Sequence, residues 1–240
     1  MLKYNNRTLK YNSRWLNETA IPINLPANTV RLRYVDGVIP SAQDEFQGTT
    51  LTQVSSIPNI WDLTNTGNSW YCLLSESPPP IHGLKSGYGT GLLEIVGANI
   101  SNVTILNNLC YLCKSLYKVC NLDASGALTV TGMFAGCNNL IQVGSIDIRN
   151  VLAMNDMFNG CTQLPIIPTI TLPSYKSGNN CYSMFCGCYK VASGALNLYN
   201  RLRNVIDTSG ISNYMFCFHD CGRYTTTGAA ELALIPNKWK

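Results

Sequence analysis

Apolar residues recur through the middle of the chain with a period of 24 residues. The clearest columns are Leu92, Leu116, Leu140 and Leu164; Ala98, Leu122, Ile146 and Ile170; and Cys113, Cys137 and Cys161. Because only 46% of the chain is apolar, columns that stay apolar in every copy indicate a structural repeat. We therefore expect successive 24-residue units to stack on one another around a shared core.

The spacing inside one unit predicts its local structure. Met154, Met157, Phe158 and Cys161 stand at i, i+3, i+4 and i+7, which is typical of one face of a short helix. The segment 146–148 reads apolar, polar, apolar, as a short strand does. One strand and one helix in 24 residues match the length of a leucine-rich repeat, so the predicted fold class is an α/β solenoid.

Later units lengthen, and the last one departs from the pattern. Met184, Phe185 and Cys188 repeat the motif after an insertion, and Met215 and Phe216 are the next Met-Phe pair. His219 then stands where a cysteine is expected, as in an atypical terminal unit. The predicted repeat core is Leu109, Cys113, Met133, Phe134, Cys137, Met157, Phe158, Cys161, Met184, Phe185, Cys188, Met215 and Phe216.

The repeated motifs resemble a known family. "SNVTILNNLCYLCKSL" (101–116), "MFAGCNNL" (133–140), "NVLAMNDMFNGCTQL" (150–164) and "MFCGC" (184–188) are similar to the BspA-like leucine-rich repeat, whose signature runs Asn-Val-Thr-x-Met-x-x-Met-Phe-x-x-Cys-x-x-Leu. The resemblance covers residues 84–222 and implies a repeat solenoid over that range. The resemblance concerns the fold, and a fold does not determine a function.

The chain has 11 cysteines, which invite a zinc or disulfide interpretation. The repeat already accounts for Cys110 and Cys113, because they occupy the same columns as Phe134 and Cys137. We expect buried, reduced packing thiols, since free cysteine behaves as a small apolar residue. One cluster leaves metal binding open, although its spacings are not those of common zinc motifs: Cys186, Cys188, Cys217, His219 and Cys221.

Composition and charge narrow the function. Charged residues make up 12% of the chain and the net charge is +4, a weakly charged polar surface that suits extracellular or virion proteins built from strands and turns. His82 and His219 lie in no catalytic motif, and no phosphate-binding loop or paired acids can be placed. We predict no enzyme activity, cofactor or metal. Neither a membrane helix nor a signal peptide is expected.

The N-terminus contains a seven-residue duplication, "LKYNNRT" (2–8) and "LKYNSRW" (9–15), each reading as a strand and an Asn-rich turn. One interpretation is a small β-ribbon packed on its own domain. The other is a basic arm that docks into a partner through Lys3, Tyr4, Arg7, Leu9, Lys10, Tyr11, Arg14 and Trp15. The predicted organisation is an arm over 1–20, a β-rich cap over 21–83, repeats over 84–222 and a C-terminal cap over 223–240.

The duplicated arm, the segment "LPANTVRLRY" and the repeats together are similar to virion fibre and appendage proteins of gut bacteriophages, including crAss-like phages. This resemblance implies a head fibre or another capsid or tail decoration, assembled in the host cytoplasm. The expected partners are other virion proteins, further copies in a homo-trimer, and a host-surface glycan or protein, but not nucleic acid. A bacterial cell-surface adhesin and a glycan depolymerase are the alternatives.

Overall fold

The computed structural model describes residues 24–41, 47–54, 59–76, 87–176 and 178–240, together with the backbone of four residues near the N-terminus. Those four form two antiparallel strands, β1 (Lys3–Tyr4) and β2 (Arg7–Thr8). The other predicted docking residues of the arm lie outside the described residues, as does His82; they are Leu9, Lys10, Tyr11, Arg14 and Trp15.

The remaining strands fall into two sheets. They are β3 (Thr29–Tyr34), β4 (Thr49–Gln53), β5 (Ile60–Asn65), β6 (Leu92–Asn99), β7 (Lys118–Val119), β8 (Leu122–Asp123), β9 (Gln142–Val143), β10 (Ile146–Asp147) and β11 (Ile170–Thr171). The larger sheet has the order β4-β5-β3-β6-β7-β9, and the smaller one has the order β11-β10-β8. The longer strands β3 to β6 pair in antiparallel fashion, and the short strands that follow pair in parallel.

Strand β3 shows why the larger sheet has one face on the core. Val30, Leu32 and Tyr34 alternate along it and are each at most 1% exposed. Successive side chains of a strand point to opposite faces, so these three project to the same side. On the other face, Arg31 forms a two-pronged ion pair with Asp62 of β5, with both N–O distances at 2.7 Å.

The parallel pairings join residues 24 positions apart. Ile146 lies opposite both Ile170 and Leu122, and Val119 lies opposite Val143. A third contact between units runs through single bridges from Ile105 to Thr129 and on to Ala153. Each unit thus rests on the next at several places, which fixes the apolar columns in register.

The segment predicted to be helical in each unit is a run of turns. In residues 130–137, alternate N–H groups bond locally, as from Met133 to the Val130 carbonyl (3.1 Å). The N–H groups between them donate to the next unit, as from Phe134 to the Met157 carbonyl (2.9 Å). An α-helix instead bonds each N–H to the carbonyl four residues earlier. Gly132 and Gly136, at φ +63° and +74°, also hold left-handed conformations that interrupt a helix.

The predicted α/β solenoid of BspA-like leucine-rich repeats is therefore wrong as a fold class. The described residues are mostly β-strands and turns, arranged in mixed and parallel sheets without a closed solenoid. Within that part of the chain only two α-helices occur, α1 (Ala195–Val205) and α2 (Thr226–Leu234), and both follow the regular units. The i, i+3, i+4, i+7 pattern arose because a run of turns also places those four side chains on one side.

Four stacked phenylalanines form the centre of the core. Ring centroids lie 5.3 Å apart between Phe134 and Phe158, 5.0 Å between Phe158 and Phe185, and 6.2 Å between Phe185 and Phe218. The stack of units begins earlier than the repeats were predicted to begin, since the Leu74 N–H already donates to the Leu109 carbonyl (2.8 Å).

The C-terminal residues cover the end of the stack. The Phe218 N–H donates to the Trp239 carbonyl (2.9 Å), so the tail continues the hydrogen-bond pattern of the units. Trp239 is 1% exposed, and its ring lies 4.6 Å from Tyr214 and 5.3 Å from Tyr199 of α1. Neither helix in this described region is long and apolar enough to span a bilayer.

Candidate functional site

The cysteine column makes one repeated hydrogen bond. Each thiol donates to a backbone carbonyl in the preceding unit, at 2.8 Å from Cys113 Sγ to Leu74 O and 3.0 Å from Cys137 Sγ to Cys110 O. The next two are 3.2 Å from Cys161 Sγ to Phe134 O and 3.1 Å from Cys188 Sγ to Phe158 O. A cysteine at this position therefore fills space and also supplies a donor.

Burial disfavours the thiolate form of Cys161 and Cys188. Desolvation raises the pKa of Cys161 and Cys188 far above the ordinary value, and the neighbouring thiols raise that of Cys188 further. Since the thiolate is the nucleophile and the metal ligand, a thiol held protonated in an apolar column is neither. The column is a structural feature of the core.

The candidate zinc cluster does not converge. Cys188, Cys217 and Cys221 are buried, whereas Cys186 is half-buried and His219 is exposed. Among the described residues no group of three or more potential ligands lies close enough to hold a metal ion. Burial, together with nearby Asp156 and Asp220, raises the pKa of Cys186, which disfavours its thiolate.

The last unit has a different register from the predicted one. Met215 and Phe216 are only half-buried, while Cys217 and Phe218 occupy the core at 0% exposure. The Phe185 N–H donates to the Cys217 carbonyl (2.8 Å), just as the Phe158 N–H donates to the Met184 carbonyl. The other eleven predicted core residues are each at most 1% exposed. Cys221, aligned with the cysteine column, was the sequence signal for the correct register.

Asp123 and Asp147 are not arranged as glycan cleavage requires. Asp123 and Asp147 are neighbours across β8 and β10, but the Arg149 Nε donates to both Asp147 oxygens at 3.0 Å. That hydrogen bond lowers the pKa of Asp147. Asp123 accepts from the Ser125 hydroxyl and N–H. A glycosidase acid instead needs a raised pKa and a second carboxyl group across the scissile bond.

Half-buried and exposed aromatic and charged side chains gather where the last two units meet. The rings of Tyr189 and Tyr224 lie 4.9 Å apart, and the Arg223 guanidinium is 5.9 Å and 5.2 Å from their respective centroids. Asp220 holds Arg223 through a 2.8 Å ion pair and lies 3.7 Å from His219 Nε2. We name these five residues the aromatic patch. Four of its members lie within residues 219–224, but Tyr189 comes from the preceding unit, and sequence reasoning did not bring them together.

Comparisons of the chain with family models, curated proteins and solved structures gave no match. The function is therefore argued from the motifs and from the geometry of the described residues.

Proposed function

We propose that the protein is a non-enzymatic structural protein of a bacteriophage virion, a head fibre or another capsid or tail decoration. The observation that carries this proposal is the cysteine column, in which the side chains best suited to chemistry serve as buried packing and hydrogen-bond donors. A core of this kind suits a rigid structural protein whose surface contacts partner molecules. The resemblance of the arm and repeats to phage appendage proteins supplies the virion context.

The arm is the proposed attachment to the virion. Lys3, Arg7, Lys10 and Arg14 give it four positive charges, and no acidic residue precedes Glu18. A basic segment of this kind pairs with an acidic surface on a capsid or tail protein. The stacked units then contact other copies of the chain or the host surface.

The test is incorporation into phage particles. The chain is expressed during phage infection, and its copy number in purified particles is measured by quantitative mass spectrometry. Replacing Lys3, Arg7, Lys10 and Arg14 with Gln should lower incorporation about tenfold, because four exposed ion pairs together contribute roughly 1–3 kcal/mol.

A matched control removes the same charge elsewhere. Lys114, Lys176, Arg203 and Lys238 are all exposed, and their replacement with Gln should leave incorporation unchanged. Absence of the unaltered chain from particles, or equal loss in both variants, would overturn the proposal. Detection on the surface of intact bacteria instead would favour an adhesin.

A further inference from the structure

The aromatic patch is held in place by several contacts between its members. Tyr224 is 65% exposed, so much of its ring remains open to solvent despite its contacts with Arg223 and Tyr189. The Tyr224 N–H donates to the Tyr189 carbonyl (3.0 Å), which fixes the two residues on neighbouring units. The two tyrosines are therefore held side by side by the backbone.

Tyr189 is held from behind as well. A Cβ placed on Gly187 would lie 3.8 Å from Cζ of Tyr189, so the ring rests beside a backbone that carries no side chain. The two rings, tilted by 36° with centroids 4.9 Å apart, pack against each other, so Tyr189 supports a platform whose exposed part is the Tyr224 ring. Preorganisation of this kind lowers the entropic cost of association.

Polar groups border the platform on one side. Side-chain exposures are 48% for Arg223, 30% for Asp220 and 49% for His219, so their unpaired donors and acceptors reach solvent. The Asp220–Arg223 ion pair fixes where these groups stand. An aromatic face beside fixed donors and acceptors matches a ligand that has an apolar face and a rim of hydroxyl groups.

A pyranose ring has that chemistry. Its axial C–H groups form an apolar face that packs on an aromatic ring, while its equatorial hydroxyls accept from guanidinium or imidazole N–H groups and donate to a carboxylate. A protein hot spot, by contrast, centres on anchors in a well-packed pocket that loses all its water. The half-exposed charges of the patch fit the sugar better.

We propose that the aromatic patch binds a pyranose unit of a glycan, with Tyr224, supported by Tyr189, as the stacking surface and Arg223, Asp220 and His219 as hydroxyl partners. This site rests on the proposed function, for which it supplies the contact with a host-surface glycan. No bond is made or broken in the proposed complex.

Saturation-transfer NMR tests the site with purified full-length protein. The probes are the methyl glycosides of glucose, galactose, mannose, N-acetylglucosamine and N-acetylneuraminic acid. At least one should receive saturation on its ring C–H protons. Tyr224→Ala should weaken the signal roughly tenfold, as loss of a central aromatic contact does. Tyr224→Phe should keep it, since the ring face carries the contact.

Tyr175→Ala is the matched control, because Tyr175 is also exposed (49%) but lies outside the patch. It should leave the signal unchanged, and the methyl spectrum of the core should show that every variant is folded. No transfer to any probe, or equal transfer to Tyr224→Ala, would overturn the site. Particle incorporation is measured in parallel. If the unaltered chain enters particles but binds no probe, the glycan site is wrong while the virion role stands.

A protein partner is the competing outcome. If the unaltered chain binds no probe but self-associates in sedimentation experiments, and Tyr224→Ala abolishes that association, the patch is a subunit contact and the glycan proposal is wrong.

Discussion

Cys161 Sγ donates a hydrogen bond to the carbonyl oxygen of Phe134, 3.2 Å away in the preceding unit. The same carbonyl also accepts from the Cys137 N–H at 3.1 Å. In these turns alternate N–H groups donate to the next unit. The thiol then serves as a second hydrogen-bond donor to one carbonyl. Buried carbonyls are satisfied in this way throughout native proteins. The repeat of the bond in successive units explains the recurrence of cysteine.

Replacing Cys161 with Val should lower the free energy of unfolding by about 1–2 kcal/mol. Valine has a similar size but no donor, so the Phe134 carbonyl keeps only its local hydrogen bond. Urea unfolding followed by circular dichroism gives the value. Cys120→Val is the control, since Cys120 is half-buried and its thiol bonds only to the adjacent Asn121 carbonyl. Equal losses in the two variants would contradict a role for the thiol bond between units.

The register of the last unit predicts a sharp contrast between two phenylalanines two positions apart. Phe218 is fully buried and stacks on Phe185, so Phe218→Ala should cost about 3–5 kcal/mol of unfolding free energy. Phe216 is half-buried and its ring lies edge-on to Tyr182 and His219, so Phe216→Ala should cost about 1 kcal/mol. Denaturant titrations of both variants decide the matter. The reverse order would restore the register expected from the Met215-Phe216 pair.

Phe216 and Phe218 also show what the sequence pattern could not predict, which is the register of the last unit. Within residues 92–170 the 24-residue columns located most of the buried apolar residues, because every unit places equivalent side chains on one core. The pattern did not distinguish a helix from a run of turns, since both bring positions i, i+3, i+4 and i+7 to one side. Glycines at 132, 136 and 160 were the available signal for turns, as their positive φ values require left-handed backbone.

The aromatic patch illustrates a different limit. Tyr189 and Tyr224 are 35 positions apart and come together through the lengthened last unit, so no fixed period relates them.

The sequence pattern did not reveal the first unit for a similar reason. Trp70, Leu73 and Leu74 have the i, i+3, i+4 spacing of the repeat, but a longer connection separates them from the next unit. Where a unit contains an insertion, backbone hydrogen bonds decide which residues of neighbouring units lie opposite each other. The sequence shows that pairing only indirectly.

Glu231 of α2 caps α1, and its removal should destabilise the C-terminal end. Its carboxylate accepts from the Gly194 N–H at 3.3 Å and the Leu196 N–H at 3.1 Å, and α1 has no side-chain cap of its own. Glu231→Ala should cost about 1–2 kcal/mol, because helix N-terminal donors lose an acceptor and a favourable negative charge. Glu231→Gln keeps an acceptor oxygen and should cost less. Hydrogen exchange at the Leu196 amide should rise in the Ala variant; unchanged protection there would contradict the capping role.

The buried thiols predict that the protein loses stability in alkali. Burial raises the pKa of Cys137, Cys161 and Cys188 in the folded chain well above the ordinary value of 9.0. The folded state then keeps protons that the unfolded state releases, so stability is complete below about pH 9 and falls as the pH rises further. Each thiol contributes a loss of about 1 kcal/mol per pH unit.

The measurement is the urea midpoint between pH 8 and 10 in reducing buffer at constant ionic strength. The unaltered protein should show a plateau to about pH 8.5 and then a steep decline, before most tyrosines ionise. Cys161→Val has one thiol fewer, so its decline should be shallower by about 1 kcal/mol per pH unit even though its starting stability is lower. Cys120→Val should change the slope by nearly as much up to pH 10, because the pKa of Cys120 also rises, to about 11, and its thiol stays protonated in the folded chain over this range. A flat profile through pH 10 would mean that the thiols ionise inside the folded core, which is incompatible with a dry column of hydrogen-bonded S–H groups.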